Sequence, residues 1–322
     1  MTNLTAPHFT NEDKAREYLE ALRWPEGPFC PHCGSVNAKR LPAQRGRATK
    51  AHPEGAIRNG VVQCNDCRKQ YSVTVGTVFE SSKIPLHKWL LANHLLCASK
   101  KGMSAHQLHR MLGITYKSAW FMFHRIREAM RPTDDAPMGG NGGIVEVDET
   151  FIGRKKGVET PKGGFRHKMA VLSLVDRDSG KARSVVVNDL RPSTLLPIIK
   201  ANVAAETHMM TDEAKHYSRL PEHFTSHGST SHAKGVYTGW QIGRPMIHTN
   251  TIEGYFSIFK RGMRGVYQHC GEQHLHRYLA EFDFRYSNRS ANGIEDDQRA
   301  DIALKGIAGK RVTYRRTNCL NA

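Results

Sequence analysis

GGIVEVDETFIG, residues 142–153, decides the fold. Its alternating apolar residues predict a β-strand on which Glu146 and Asp148 share one face while Glu149 points to the other. HMMTDEAKHY (208–217) reads as a second strand ending at Asp212 beside Glu213. TIEGYFSIFKR (251–261) has helical periodicity, with Glu253 near its start and Lys260 two turns later on the same face. Three carboxylates brought together from two strand ends and a helix can hold a pair of Mg²⁺ ions, which take oxygen ligands and leave positions for water and phosphate. A lysine beside them adds a phosphate contact. A single acid of this kind is ordinarily solvated surface. Alternation alone does not choose between Glu146 and Asp148, or between Asp212 and Glu213.

Around these motifs the text predicts a mixed sheet. KMAVLSLVDRD (168–178) and ARSVVVND (182–189) are strand-like and joined by the turn DRDSGK; STLLPIIKANVA (193–204) is an apolar helix, and HLHRYLAEFDFRYSN (274–288) a second one. Three consecutive strands followed by alternating helix and strand place this region, 144–290, in the α/β class with helices packed on a mixed sheet. RPTDDAPMGGNGG (131–143) reads as a linker, and 291–322 as a loosely structured tail.

Upstream, residues 77–130 are helical. Leu86, Trp89, Leu90, Asn93 and Leu96 mark one helix; Ser104 with Gln107 forms a capping box for a second; Gly113 and Ile114 turn the chain into a third capped by Thr115. Helix, short glycine turn, helix is a helix-turn-helix pattern, whose second helix carries Tyr116, Lys117 and Ser118 at the end that normally meets base edges. The same pattern occurs in proteins that never touch DNA. Here the third helix is expected to expose Lys117, His124, Arg125 and Arg127, next to the basic SKKGM segment.

Residues 27–76 are rich in Gly, Pro and Cys. Cys30 and Cys33 (CPHC) and Cys64 and Cys67 (CNDC) stand either side of the basic insertion LPAQRGRATKAHPEGAIRNG. One C-x-x-C is often a redox dithiol, but two of them in a loop-rich segment predict a closed four-sulfur Zn²⁺ site. His52 is a weak substitute ligand and His32 a bystander. The other three cysteines, Cys97, Cys270 and Cys319, are isolated, as in a reducing compartment. A short helix precedes the ribbon in 1–26, with Thr10 and Asp13 resembling a capping box.

The 322 residues carry a formal net charge of +17, which favours a polyanionic partner, nucleic acid first. No run of about 18 apolar residues exists to span a membrane, and MTNLTAPHFTNEDK lacks a signal-peptide pattern, so the expected location is cytoplasmic.

VDET, TDEAKHY and HTNTIEGYFSIFKRGMRGVYQH, followed by HLHRYLAEFDFRYSNR and preceded by the CPHC and CNDC pairs, resemble the DDE-type transposases of bacterial insertion sequences, in their zinc-ribbon branch. The resemblance covers residues 15–290 and is most specific from His248 to Arg289. It implies a ribonuclease H-like catalytic domain with Asp148, Asp212 and Glu253 as catalytic acids holding Mg²⁺ or Mn²⁺, and Lys260 as the basic residue after the Glu. Glu146 and Glu213 are then neighbours whose amide variants should be mild. Asn250, one turn before Glu253, and more weakly His248, are auxiliary or competing ligands. The implied activity is metal-dependent cleavage and strand transfer. The partner is double-stranded DNA at element ends and target, contacted by Tyr116, Lys117, Ser118, Arg125, Lys260 and Arg261. The chain would work as at least a dimer on DNA and associate with a bacterial nucleoid. A ribonuclease H-like nuclease that does not join ends, and a DNA-binding regulator with a vestigial acidic triad, are the alternatives.

Overall fold

The computed structural model describes residues 3–48, 50, 53–55, 57–133, 136–231, 235, 238–239 and 245–313. They fall into two compact units. One comprises the chain up to 98, 105–130 and the segment from 296 on; the other comprises 99–104 and 131–295.

The first unit opens with α1 (Pro7–Thr10) and α2 (Glu12–Arg23). The residue that caps α2 is Asn11, not Thr10: its backbone is extended and its side chain accepts a 3.0 Å bond from Lys14 N–H, leaving the acids Glu12 and Asp13 in the first turn to complement the helix dipole. In the ribbon, β1 (Ala38–Arg40), β2 (Gln44–Arg45), β3 (Ile57–Arg58), β4 (Val62–Cys64) and β5 (Gln70–Tyr71) form two small antiparallel sheets, β1-β4-β5 and β2-β3. The β2-β3 ladder lies within the basic insertion. Helices α3 (Leu86–Ala98), α4 (Ala105–Leu112) and α5 (Tyr116–Ala129) follow as the periodicity predicts. Gly113 takes a left-handed φ of +61° in the turn between α4 and α5, and Thr115 Oγ1 caps α5 by accepting from Ser118 N–H at 3.2 Å.

The second unit contains β6 (Ile144–Ile152), β7 (Met169–Asp176), β8 (Ala182–Val187), α6 (Pro192–Asn202), β9 (His208–Asp212), β10 (Ser226–Thr230), α7 (Asn250–Gly262) and α8 (Glu272–Ser287). The five strands form one sheet in the order β10-β9-β6-β7-β8. β6, β7 and β8 are antiparallel neighbours, whereas β9 runs parallel to β6, and β10 to β9. This is a ribonuclease H-like sheet. β7, central and covered on both faces, is buried along its whole length. Side chains alternate between two cores: Val145, Val147 and Leu172 pack with Leu195 and Ile199 of α6, while Ile152, Met169 and Val171 pack with Ile252, Phe256 and Phe259 of α7 and Leu279 of α8. The unit therefore has three layers.

Part of the expected linker belongs to this core. Met138 is buried at 5% exposure and bonds through its backbone to Asn202 O and Ala204 N–H, each at 2.9 Å. Residues 134 and 135 lie outside the described residues.

The expected loose tail is also corrected: α9 (Asp296–Lys305) is a helix of the first unit. Asn93 Nδ2 donates to Ala300 O at 2.9 Å, Arg299 Nη1 to Cys97 O at 3.0 Å, and Tyr18 Oη to Asp301 Oδ1 at 2.5 Å. Two of its four buried residues are alanines, Ala300 and Ala303, and a third is Arg299, so its apolar stripe is weak in sequence and polar bonds to α2 and α3 hold it. Residues 314–322, with Cys319, lie outside the described residues.

α7 and α8 approach closely at Gly262, where a Cβ would fall 2.4 Å from the Phe282 ring and 2.5 Å from Lys101 O. Gly262→Ala is expected to cost about 1–3 kcal/mol through overpacking against a backbone atom. Urea unfolding checks this; an unchanged midpoint would show that the helices separate freely.

Candidate active site and metal centre

β9 pairs with β6 only as far as Glu146 opposite Met210, while β6 continues with β7 to Ile152. Asp148 and Asp212 each lie two residues beyond that last pair, opposite one another if the register is continued. Both carboxylates thus stand where two parallel strands part, a position open at a strand end. Burial pushes the Asp148 carboxyl up to about 7, the negative charges of Glu149 and Asp212 adding to the rise, while the Glu149 N–H (2.7 Å) and the charge of Lys260 oppose it. Asp212 Oδ1 accepts from Ala214 N–H at 3.0 Å, which turns the chain away from the strand.

The structure separates Glu146 from Asp148, which alternation could not do. Glu146 is fully buried. Its Oε1 accepts from Arg177 Nε at 2.5 Å and lies 3.2 Å from His248 Nδ1, and its Oε2 accepts from Ile252 N–H at 2.8 Å. Arg177 also donates to Met246 O at 2.8 Å and His248 O at 2.6 Å. One carboxylate therefore fastens the entry and first turn of α7, which carries Glu253, to β6. Glu146 is an anchor of α7, a role that strand alternation does not reveal. His248 belongs to the same anchor, and burial followed by the Arg177 charge holds its imidazole below the usual range.

Glu253 is exposed in the first turn of α7 and accepts from Thr249 Oγ1 at 3.2 Å. Asn250, the first residue of that helix, is exposed as well. Lys260 is partly buried, its Nζ 5.5 Å from the Phe256 ring centroid, and near enough to Asp148 to stabilise its charged form. Arg261 is exposed and donates to Ser257 Oγ.

Sequence reading missed a contact on the opposite face of β6. Glu149 Oε2 accepts from Tyr217 Oη at 2.7 Å and lies 3.2 Å from His216 Nε2. Burial drives Glu149 up, but the bonds from His216 and Tyr217 outweigh it and hold the carboxyl below its usual range; burial lowers His216, and Glu149 outweighs that too, leaving the imidazole raised. This ties the turn after Asp212 to the residue after Asp148. The signal available in sequence was KHY closely following Asp212, with Glu149 on the face opposite Asp148.

The donor set suits hard divalent cations: carboxylate oxygens on a partly buried surface where accumulated negative charge already raises Asp148. Among the described residues no three carboxylates or imidazoles come as close as the four thiols of the ribbon, and a two-ion site does not require it, because the ions themselves lie about 3.5–4 Å apart.

In the ribbon, Cys30, Cys33, Cys64 and Cys67 bring their Sγ atoms within 4.8 Å of one another, with Cys30–Cys67 and Cys33–Cys64 both at 3.6 Å. A tetrahedron with Zn–S of about 2.3 Å has edges of about 3.8 Å, so the four thiols fit a closed zinc site. Gly34 and Arg68, each directly after the second cysteine of its pair, have left-handed φ of +78° and +61° and close matching turns. The Cys67 N–H helps pull Cys64 down to about 7, favouring the thiolate that binds metal. His52 lies outside the described residues.

In the α4-α5 region, Tyr116 and Lys117 are exposed and Ser118 half-buried at the start of α5. Tyr116 stacks on His106 with centroids 4.1 Å apart. His124 and Arg127, expected on the surface, are buried at 1% and 2% exposure, because they fall on the helix face that carries Phe123 and Ile126. Arg125 donates to Glu80 O at 3.0 Å and lies over the Phe121 ring at 4.9 Å.

Two outcomes are expected. Glu146→Ala should lower stability by about 1–3 kcal/mol, since it removes the carboxylate that accepts from Arg177 Nε and from the buried Ile252 N–H; a thermal midpoint within a degree of wild type would exclude the anchor. Cys64→Ser, or a strong chelator, should release one zinc per chain and unfold residues 27–76 while the 131–295 unit keeps its structure. Metal analysis and amide exchange check this, and protein that holds no zinc would refute it.

Residues 141–287 match the ISXO2-like transposase domain and residues 10–70 the transposase zinc-ribbon domain. A relative described as an uncharacterized protein in transposable element ISH50 of Halobacterium salinarum is 26% identical over 299 residues, covering 86% of this chain and 91% of its own. Among solved structures, the simian T-cell lymphotropic virus intasome in complex with PP2A regulatory subunit B56 gamma matches with a TM-score of 0.28 and 15% identity. That alignment covers 55% of this chain and 63% of that one, a likeness too slight to carry argument. The first matched domain encloses Asp148, Asp212, Glu253 and Lys260 and the second the four cysteines: the chain belongs to the ISXO2-like, zinc-ribbon branch of the DDE-type transposases.

Proposed function

We propose that this transposase binds the terminal inverted repeats of a DNA element, cuts a strand at the element end and joins the freed 3′ hydroxyl to target DNA. The observation that carries the reading is the gathering of Asp148, Asp212 and Lys260 where β6 and β9 part; Glu253, in the first turn of the helix that Glu146 anchors, is read as the third acid.

Asp148, Asp212 and Glu253 would hold Mg²⁺ or Mn²⁺, which when bound supplies Lewis acidity and a water of lowered pKa. Lys260, with a compact charge on a flexible stem, holds non-bridging phosphate oxygens of the strand being cut. Glu146 and Arg177 keep α7 from moving as charge develops, and Glu149 with Tyr217 and His216 keeps Asp212 in place against Asp148. In the first reaction water adds to phosphorus and the 3′ oxygen leaves as a hydroxyl. In the second that hydroxyl adds to a target phosphorus and displaces the target's own 3′ oxygen. Phosphodiester bonds are conserved in the second reaction, so it needs no nucleotide cofactor.

Tyr116, Lys117 and Ser118 are placed for base edges at the exposed end of α5, and Arg261 for the backbone near the acids. Arg125 serves the packing of α5 as well as any DNA contact. Two element ends processed together call for at least two chains on DNA. Asn250 is an auxiliary oxygen ligand beside Glu253.

Asp148→Asn, Asp212→Asn and Glu253→Gln are each expected to reduce Mg²⁺-dependent cleavage and joining by at least about 100-fold, because an amide keeps the volume but not the charge that holds a cation. End binding should persist, and Lys260→Ala should be intermediate. The assay joins pre-cut labelled ends to a plasmid, alongside a gel shift. Full joining by Asp148→Asn would overturn the assignment, and cleavage without joining by the wild-type chain would favour a nuclease.

A further inference from the structure

Between β6 and β7 the chain inserts GRKKGVETPKGGFRHK, residues 153–168, with six Lys or Arg against one Glu. The base of the insertion is ordered. Lys155 N–H donates to His167 O at 2.7 Å and Lys168 N–H to Phe165 O at 2.8 Å. Phe165 stacks on Phe151 of β6 with centroids 4.6 Å apart, Lys168 Nζ lies 5.0 Å from the Phe165 centroid, and Lys155 Nζ reaches Glu272 at 3.9 Å. Arg154, Lys156, Lys162 and Arg166 remain. All four are exposed, and among the described residues none has an ion pair or hydrogen bond. Some exposed cations elsewhere are matched locally, as in Lys14–Glu17 and Arg219–Glu222, and others stand singly; the insertion differs in crowding four within thirteen residues. Four unmatched cations crowded on one short insertion raise the local positive potential, which attracts a polyanion.

The insertion extends the strand that carries Asp148. Beyond Glu146, β6 has no partner in β9, so the β6-β7 ribbon runs past the point where the acids gather. Gly153 follows Asp148 by five residues. At about 3.3 Å per residue the insertion begins about 17 Å away, the length of about five base pairs. Gly153, Gly157 and Gly164 adopt left-handed φ of +62°, +76° and +77°, which lets the chain turn sharply within the insertion. Such a surface fits regularly spaced phosphates and reads no base edges.

We propose that the β6-β7 insertion is an arm that grips the sugar-phosphate backbone of duplex DNA about five base pairs from the phosphate held at Asp148. Arg154, Lys156, Lys162 and Arg166 are its contacts. The arm rests on the reading of DNA as substrate given above, and adds a sequence-independent hold within the catalytic unit, separate from recognition by α5.

The test uses the full chain. Arg154→Ala, Lys156→Ala, Lys162→Ala and Arg166→Ala are combined, and duplex binding is measured by fluorescence anisotropy between about 50 and 200 mM salt. The slope of log K against log salt should become shallower by about 0.9 per lost contact, up to about 3.6, equally on element ends and random duplex. Arg154→Lys with Arg166→Lys should keep the wild-type slope. A photo-crosslinker placed at Lys156 should capture DNA about five base pairs from the cut phosphate. An unchanged slope in the fourfold variant, a loss confined to element ends, or a crosslink at a different distance would overturn the arm. Failure of the wild-type chain to join ends would instead strike the strand-transfer reading, since the salt slope on plain duplex decides the arm without it.

Discussion

The buried carboxylate of Glu146 is the constraint on which the catalytic unit depends. A charged group with no solvent exposure is tolerated only if its lone pairs are satisfied, and Glu146 meets that condition with Arg177, His248 and the Ile252 N–H. Because those partners come from the β7-β8 turn and the entry to α7, satisfying the carboxylate fixes where α7 begins. Glu253 follows Ile252 directly, so the position of a proposed ligand is set by an anchor that never meets the substrate. Rigid supports behind functional side chains are the usual means of holding such a site within a fraction of an ångström.

A second buried network holds α8 and α7 to β8. Asp283 accepts from Tyr255 Oη at 2.6 Å, from Ser184 Oγ at 2.7 Å and from Ser184 N–H at 2.8 Å, and Ser184 in turn contacts Ser173 Oγ at 2.8 Å. Burial raises Asp283 to about 6 even with these bonds opposing it. Polar networks of this kind specify geometry more than they add stability, since an apolar core of equal volume would hold the layers without defining one alignment. On the exposed surface the demand is different: Arg154, Lys156, Lys162 and Arg166 of the basic insertion have no ion pair among the described residues, as expected where phosphates are to be bound.

The sheet, the helix-turn-helix and the ribbon were legible because each rests on local signals: alternation in IVEVDETFI, a glycine turn before a Thr cap, and paired C-x-x-C motifs with the spacing of a four-sulfur metal site. α9 was not legible, because its buried face combines two alanines with Arg299 and a single leucine, and its attachment relies on hydrogen bonds to residues some two hundred positions away. His124 and Arg127 were misplaced for a related reason: a polar residue on a helix reads as exposed until the packing of neighbouring helices decides which face is covered.

By itself, the sequence determined the face of β6 shared by Glu146 and Asp148 and the four thiols of the ribbon, since these follow from a periodicity of two residues and from ligand spacing. Only the tertiary structure decided that Glu146 is an anchor and that Asp148 stands opposite the end of β9. It alone brought Glu149 to Tyr217 and His216. Those facts depend on how far β9 pairs along β6 and on which buried charge finds partners, and both are properties of strands and helices that meet across more than sixty residues of chain.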